Sequence, residues 1–156
     1  MEEKTNVMRV LDQKKIKYHS HHLDITEALS GVEMAAMLNQ DPARVFKTLV
    51  TVGKTKVNYV FVIPVAEELD LKKAAKVAGD KDMVLIPVKD LLGITGYIRG
   101  GCSPVGMKKS YPTYFEESCE LFNEIAVSAG ERGHQMILSP LELVHLINGT
   151  LADIIV

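Results

Sequence analysis

The chain has 156 residues, of which 47% are apolar and 24% charged, and its formal net charge is −2. That is the balance of an ordinary globular protein, and it excludes one that coats nucleic acid through broad positive charge, which needs many phosphate contacts. No run of about 18 apolar residues is present to span a membrane, and the charged start "MEEKTNVMRVLDQKK" does not read as a secretory signal.

The expectation is therefore a single domain over 1–156 in the cytoplasm, with Cys102 and Cys119 as reduced thiols. Residues 5–15 predict a helix, with Val7, Met8, Val10 and Leu11 as its apolar stripe and Thr5 or Asn6 as its cap. "IKYHSHHLD" alternates and predicts a strand running into a loop. Ser30 and Glu33 have the spacing of a capping box, so a helix follows through Met34, Met37 and Leu38. Asp41 and Pro42 open one further turn. Residues 45–52 and 57–63 predict two strands of a hairpin around "GKTK". A helix over 70–78 is capped by Asp70 and stopped by Gly79.

Beyond it, "MVLIP" predicts a short buried strand and "VKDLLGITG" a helical turn ending in glycines. "YIRGGCSPVGMKK" predicts a strand leading into a tight loop. "TYFEES", "EIAVSAG" and "HQMILS" predict three more strands. "SPLELVHLING" predicts a helix with Ser139 as cap, Pro140 in its first position and Gly149 past its end. "LADIIV" is a last strand or extended tail. Short strands in runs, broken by a few helices, predict an α+β fold with a mixed, largely antiparallel sheet.

Two segments invite chemistry. Lys47 stands in the strand "RVFKTLVTVG", where neither alternating face is plainly polar. Its stem can pack while its head reaches water, or it can guard a sheet edge. Alternatively its ammonium points into a pocket to hold an anionic or oxygen-rich substrate. In "RGGCSPVG", Gly100 and Gly101 let the backbone approach a ligand closely, and successive N–H groups there suit an oxyanion or carbonyl oxygen. The same segment also suits a plain turn. It is not a nucleophile elbow, because Val105 stands where Gly-x-Ser-x-Gly needs glycine. Cys102 lacks a nearby base, with His134 the nearest idea, and reads as a small apolar residue. His19, His21 and His22 have no companions at metal-ligand spacing. Arg99, Lys108 and Lys109 form a basic cluster flanking the glycines.

"VFKTLV" at 45–50, "PVAEELDLKKAAKVAG" at 64–79, "TGYIRGGCSPVGMKK" at 95–109 and "VSAGERG" at 127–133 resemble, in order, the YbaK/EbsC family, also called YbaK/ProX or INS-like aminoacyl-tRNA deacylases. The resemblance implies a mixed, partly barrel-like sheet with surrounding helices. It also implies an enzyme that removes a wrong amino acid from tRNA, most nearly Cys-tRNA(Pro), without cofactor or metal, and with prolyl-tRNA synthetase as a possible partner. Lys47 matches the family lysine at the tRNA 3′ end, and Gly100 and Gly101 match the loop that positions the ester. Thr48, Ser103, Pro104, Ser128 and Gly130 match substrate-binding motif positions. Leu23 replaces a tyrosine, and Gln135 replaces an aspartate. His134 beside it resembles members that act on alanine, which bears on specificity. Arg99, Lys108 and Lys109 would guide the acceptor end. The absence of a side-chain nucleophile fits the resemblance, in which the substrate thiol attacks its own carbonyl. Two alternatives stay open: a deacylase for alanine or another amino acid, and a non-catalytic module that binds a nucleotide or aminoacyl adenylate.

Overall fold

The computed structural model describes residues 4–25 and 27–156. The first helix, α1 (Asn6–Gln13), is capped by the Thr5 hydroxyl, which accepts from the Met8 amide, and it buries Val7, Met8 and Leu11. Strand β1 (Tyr18–His22) follows, and then α2 (Gly31–Met37) behind the full Ser30–Glu33 capping box. A single 3₁₀ turn, Pro42–Arg44, delivers the chain to the hairpin of β2 (Phe46–Gly53) and β3 (Asn58–Pro64). Helix α3 (Leu71–Ala78) begins on the Asp70 carboxylate and ends at Gly79, whose φ is 72°. Next come β4 (Met83–Leu85) and α4 (Val88–Thr95). The last third holds β5 (Thr113–Glu116), a 3₁₀ turn at Glu117–Leu121, β6 (Ile125–Ser128), β7 (His134–Leu138), α5 (Pro140–Leu146) and β8 (Thr150–Ala152).

The strands form two sheets, β1-β7-β6 and β4-β2-β3-β5-β8. The first is antiparallel, while in the second β3–β5 and β5–β8 are parallel. One bridge, Val45 to Ala126, joins the sheets, which do not close into a barrel. The mixed, largely antiparallel α+β arrangement expected from the sequence is present, as this open pair of sheets.

Strand β2 has two apolar faces because both are covered. Phe46 and Val50 join Val60, Val62 and the buried residues of α1 in one core. Leu49 packs with Phe61, Ile63 and the α3 alanines Ala74 and Ala75 in another. A strand covered on both sides reads as a continuous apolar run, which is why the sequence of β2 offered no polar face.

Three local expectations change. Residues 97–112 contain no strand and form one long loop. Gly100 and Gly106, at φ 88° and 77°, and Pro104 break a strand's regular geometry. Side-chain bonds fix it instead: within the loop Tyr97 donates to the Val105 carbonyl and Val105 N–H to Ser103 Oγ at 3.2 Å, and Tyr111 ties the loop to α4 by donating to the Ile94 carbonyl at 2.6 Å. "VKDLLGIT" is an eight-residue helix rather than one turn. Strand β4 is not buried: Met83 is, but Val84 and Leu85 are half-exposed.

Candidate functional site: a gap beside strand β2

The site exists because β2 is longer than its neighbour on one side. Strand β3 pairs with β2 from Phe46 to Val52, but β4 covers only Thr51–Gly53. At the other end, Val45 meets β6 through the Ala126 bridge. Between those contacts, on the side away from β3, no strand among the described residues lies beside β2. Odd-numbered residues of β2 turn their backbone toward β3, as Val65 N–H to Val45 O and Gly53 N–H to Val57 O show. By antiparallel alternation, the backbone of Phe46, Thr48 and Val50 faces the other way. Val50 O accepts from Ile86 N–H at 3.1 Å. Phe46 and Thr48 therefore present main-chain groups to the gap.

A cavity of about 470 Å³ fills this gap. Its walls are β2 from Val45 to Val50, the β4–α4 connection, the segment holding Ile25, Leu29 and Met34, the loop at Arg99, Gly100 and Cys102, and the facing ends of β6 and β7. Most of the wall is aliphatic. Its polar side chains are Lys47, Thr48, Arg99, Ser128, His134 and Gln135, with Ser30 at α2.

Lys47 is half-buried, and its ammonium donates to the Val65 carbonyl at 3.2 Å. Burial pulls its pKa below the ordinary lysine value, and the carboxylates of Glu68 and Glu67 partly oppose that shift. At Lys47 the strand has β3 on one side and the cavity on the other, so its side chain borders the cavity. The Thr48 hydroxyl is buried and has no hydrogen-bond partner among the described residues. A buried unpaired hydroxyl costs free energy, a cost that a polar group bound in the cavity would offset by pairing it.

Opposite β2, the β6–β7 turn is held by Ala129 N–H to His134 O at 2.9 Å and His134 N–H to Glu131 O at 3.1 Å. His134 is 4% exposed. Its ring stacks on His22 at 4.5 Å between centroids, and its Nδ1 lies 3.6 Å from Glu131. Gln135 exchanges two hydrogen bonds with Gln40: Gln40 Nε2 donates at 2.6 Å, and Gln135 Nε2 returns one at 3.1 Å.

The glycine loop closes the cavity. At Gly100 the backbone is left-handed, and a Cβ there would press on Ala28 at 3.1 Å, so only glycine fits. Arg132 Nε donates to Arg99 O at 2.8 Å and pins this loop to the β6–β7 turn. Gly101 packs against the backbone of Glu131 and Arg132, and its N–H donates to Ile98 O. Its amide is thus committed to the turn, whereas Gly100 borders the cavity. Cys102 also borders it, but burial pushes its thiol up to about 12. A thiol protonated at neutral pH is a poor nucleophile.

The sequence-derived residues therefore separate. Lys47, Thr48, Arg99, Gly100, Ser128, His134 and Gln135 meet at the cavity. Ser103 is fully buried inside the loop, and Gly130 lies behind the cavity wall, donating its N–H to Ser128 Oγ at 3.1 Å. Leu23 is not in the cavity wall and instead donates its N–H to Gly133 O at 2.7 Å. Pro104, Lys108 and Lys109 line a second cavity of about 280 Å³, separating these lysines from Arg99. Sequence reasoning missed Gln40, which lies 95 positions from Gln135. It also missed the half-exposed aliphatic wall of β4–α4. No local pattern signals the former. The apolar "MVLIP" held the latter but was read as core.

Comparison with known proteins agrees with this architecture. Residues 26–146 match the family described as the aminoacyl-tRNA editing domain. The chain is 47% identical over 154 residues to an Enterococcus faecalis protein provisionally named Cys-tRNA(Pro)/Cys-tRNA(Cys) deacylase EbsC, covering 98% of this chain and 94% of that one. Among solved structures, one provisionally described as a trans-editing enzyme for prolyl-tRNA synthetase superposes with a TM-score of 0.82 at 23% identity, covering 99% of each chain. The hypothetical protein APE2540 superposes with a TM-score of 0.89 at 20% identity, covering 97% of this chain and 100% of that one. These two likenesses establish the fold, and the family match and the EbsC identity go further: the chain belongs to the aminoacyl-tRNA editing domain family.

Proposed function

We propose that the chain is one editing domain that hydrolyses a mischarged aminoacyl-tRNA in the cytoplasm, with Cys-tRNA(Pro) as its substrate and prolyl-tRNA synthetase as the enzyme whose errors it corrects. The observation that carries this reading is the gap beside β2. It brings a partly desolvated ammonium, Lys47, and an unpaired buried hydroxyl, Thr48, to the same cavity as the Gly100 loop. The name of the EbsC relative supplies the amino acid and the tRNA.

The chemistry follows from what the cavity offers and what it lacks. Burial of the cavity thiol, Cys102, disfavours its thiolate, which favours a nucleophile from elsewhere. In a cysteinyl ester the substrate's own thiol can attack its carbonyl. A C–S bond forms, the bond from carbonyl carbon to ribose oxygen breaks, and the thiol proton ends on the ribose hydroxyl. The products are a cyclic thiolactone and free tRNA. The protein's part is placement and electrostatics. Lys47 holds ribose or terminal-phosphate oxygens, Thr48 pairs a polar group of the ester, and backbone donors of the Gly100 loop meet the developing oxyanion. One such donor is worth about 2.7–4 kcal/mol in well-studied hydrolases.

His134 favours a second reading, alanine as the amino acid removed. It is buried in the wall of a mostly aliphatic cavity, and alanine has no thiol, so water would be the nucleophile. Incubation with Cys-, Ala-, Ser- and Pro-tRNA(Pro), following ester loss, decides between the two. Binding of all four without turnover would instead identify a non-catalytic module. The proposal expects Lys47→Ala to lower kcat/KM on the preferred substrate at least about a hundredfold with the melting temperature retained, since one charge-assisted contact is worth about 1.5–3 kcal/mol before lost positioning is added. A wild-type rate in that variant would overturn it.

A further inference from the structure

One part of the cavity wall carries no polar side chain. Thr48, Ser128, His134, Gln135 and the Gly100 loop lie along β2, β6, β7 and the loop. The β4–α4 wall contributes only Leu85, Ile86, Val88 and Leu91. This wall is fastened to the far end of the gap by Ile86 N–H to Val50 O. Leu85 and Val88 are 51% and 58% exposed, so they form a ledge at the mouth rather than part of the core. A folded chain gains nothing by leaving two neighbouring aliphatic side chains half in water at the rim of a cavity, and such patches mark binding surfaces.

The covalent shape of the substrate says what reaches that ledge. An aminoacyl ester sits on a ribose, and the same ribose carries a base one sugar-width away. If the ester lies against the polar groups, the sugar must lie toward the mouth, where the remainder of the tRNA leaves the cavity. The base then meets the wall that offers no polar side chain. Any base has an apolar face to press on such a surface. We propose that the β4–α4 ledge, Leu85 and Val88 with Ile86 and Leu91 behind them, is the seat of the terminal adenine base of the acceptor strand. This rests on the deacylase reading of the cavity.

The test uses Val88→Asp. Val88 is the first residue of α4, where a carboxylate suits the helix dipole, so the variant should fold. Two cysteinyl RNA minihelices are compared, one ending in adenosine and one in an abasic ribose. Both carry the same charge, which cancels any repulsion from the new carboxylate. Wild-type protein is expected to cleave the adenosine-ended substrate about tenfold more efficiently than the abasic one, with the difference mainly in KM. Val88→Asp should lose that preference. Equal rates on the two ends in wild type, or a preference kept by the variant, would overturn the proposal. So would a wild-type dimer that Val88→Asp converts to monomer while the preference for adenosine persists, since the ledge would then belong to a second copy. Binding of free adenosine is measured in parallel by calorimetry or chemical-shift titration. If neither minihelix is cleaved, the deacylase reading fails by itself. Adenosine binding to wild type but not to Val88→Asp would still support the ledge, and no binding would remove it.

Discussion

At the scale of single residues, Thr48 carries the sharpest test of the cavity. Its hydroxyl is buried and unpaired among the described residues, so it contributes desolvation cost and no hydrogen bond to the folded protein. Valine has nearly the same shape without that cost. Thr48→Val is therefore expected to keep or raise the melting temperature. The same change removes a hydrogen bond that a bound ester would supply, so kcat/KM should fall about tenfold, the equivalent of roughly 1.4 kcal/mol. A variant that is both less stable and fully active would mean that the hydroxyl serves packing. Lys47 follows the same logic with a charge in place of a hydroxyl. Its lowered pKa records the cost of holding an ammonium in a partly dry place. An anionic or oxygen-rich ligand in the cavity would offset that cost.

At the scale of elements, the hairpin that carries Lys47 is latched at its far end by Asp80. This carboxylate follows α3 and accepts from Lys54 N–H at 3.0 Å, Thr55 Oγ1 at 2.5 Å and Tyr59 OH at 3.0 Å, tying the β2–β3 turn to the α3–β4 connection. These bonds, the Thr55 hydroxyl foremost, draw its pKa down from 3.8 to about 2. A depressed carboxylate stabilises the fold above its unfolded pKa, and the effect is lost as the folded group protonates. Asp80→Asn is thus expected to melt below wild type at pH 7, with the difference shrinking as pH falls from about 4 toward 2. A difference that is constant over that range would mean the carboxylate's charge is not what holds the turn. Asp80 also shows where sequence ceased to be informative. Caps and the capping box were legible because their partners lie within four residues, as Ser30–Glu33 and Asp70–Lys73 do, and the hairpin because one short turn joins its two strands. Asp80 reaches back 25 residues to Thr55, and Gln40 reaches forward 95 to Gln135, so neither was visible. The strand expected at "YIRGG" failed for a related reason. Apolar residues fit a loop that packs as well as a strand that pairs, and the glycines decided the outcome.

At the scale of the whole molecule, the cavity is set by topology rather than by any motif. Its floor is the stretch of β2 left over between a three-residue β4 and a single bridge to β6. The motifs could name Lys47, Gly100 and Ser128, but only the mismatch in strand length explains why there is space between them. Topology also separates the basic cluster. Arg99 stands at this cavity, while Lys108 and Lys109 stand at the second one, and the loop 97–112 lines both. If the acceptor strand follows that loop, it meets few cations on a chain whose net charge is −2. About three contacts to single-stranded phosphates, from Arg99, Lys108 and Lys109, give a slope of log(kcat/KM) against log[salt] of about −2, because each contact contributes about −0.7. Replacing Lys108 and Lys109 together by alanine is then expected to reduce the slope to about −0.7 and to leave kcat unchanged, since neither residue borders the β2 cavity. A slope that does not move would place the strand's path on another face. A fall in kcat at saturating substrate would mean that the second cavity communicates with the first through the loop they share.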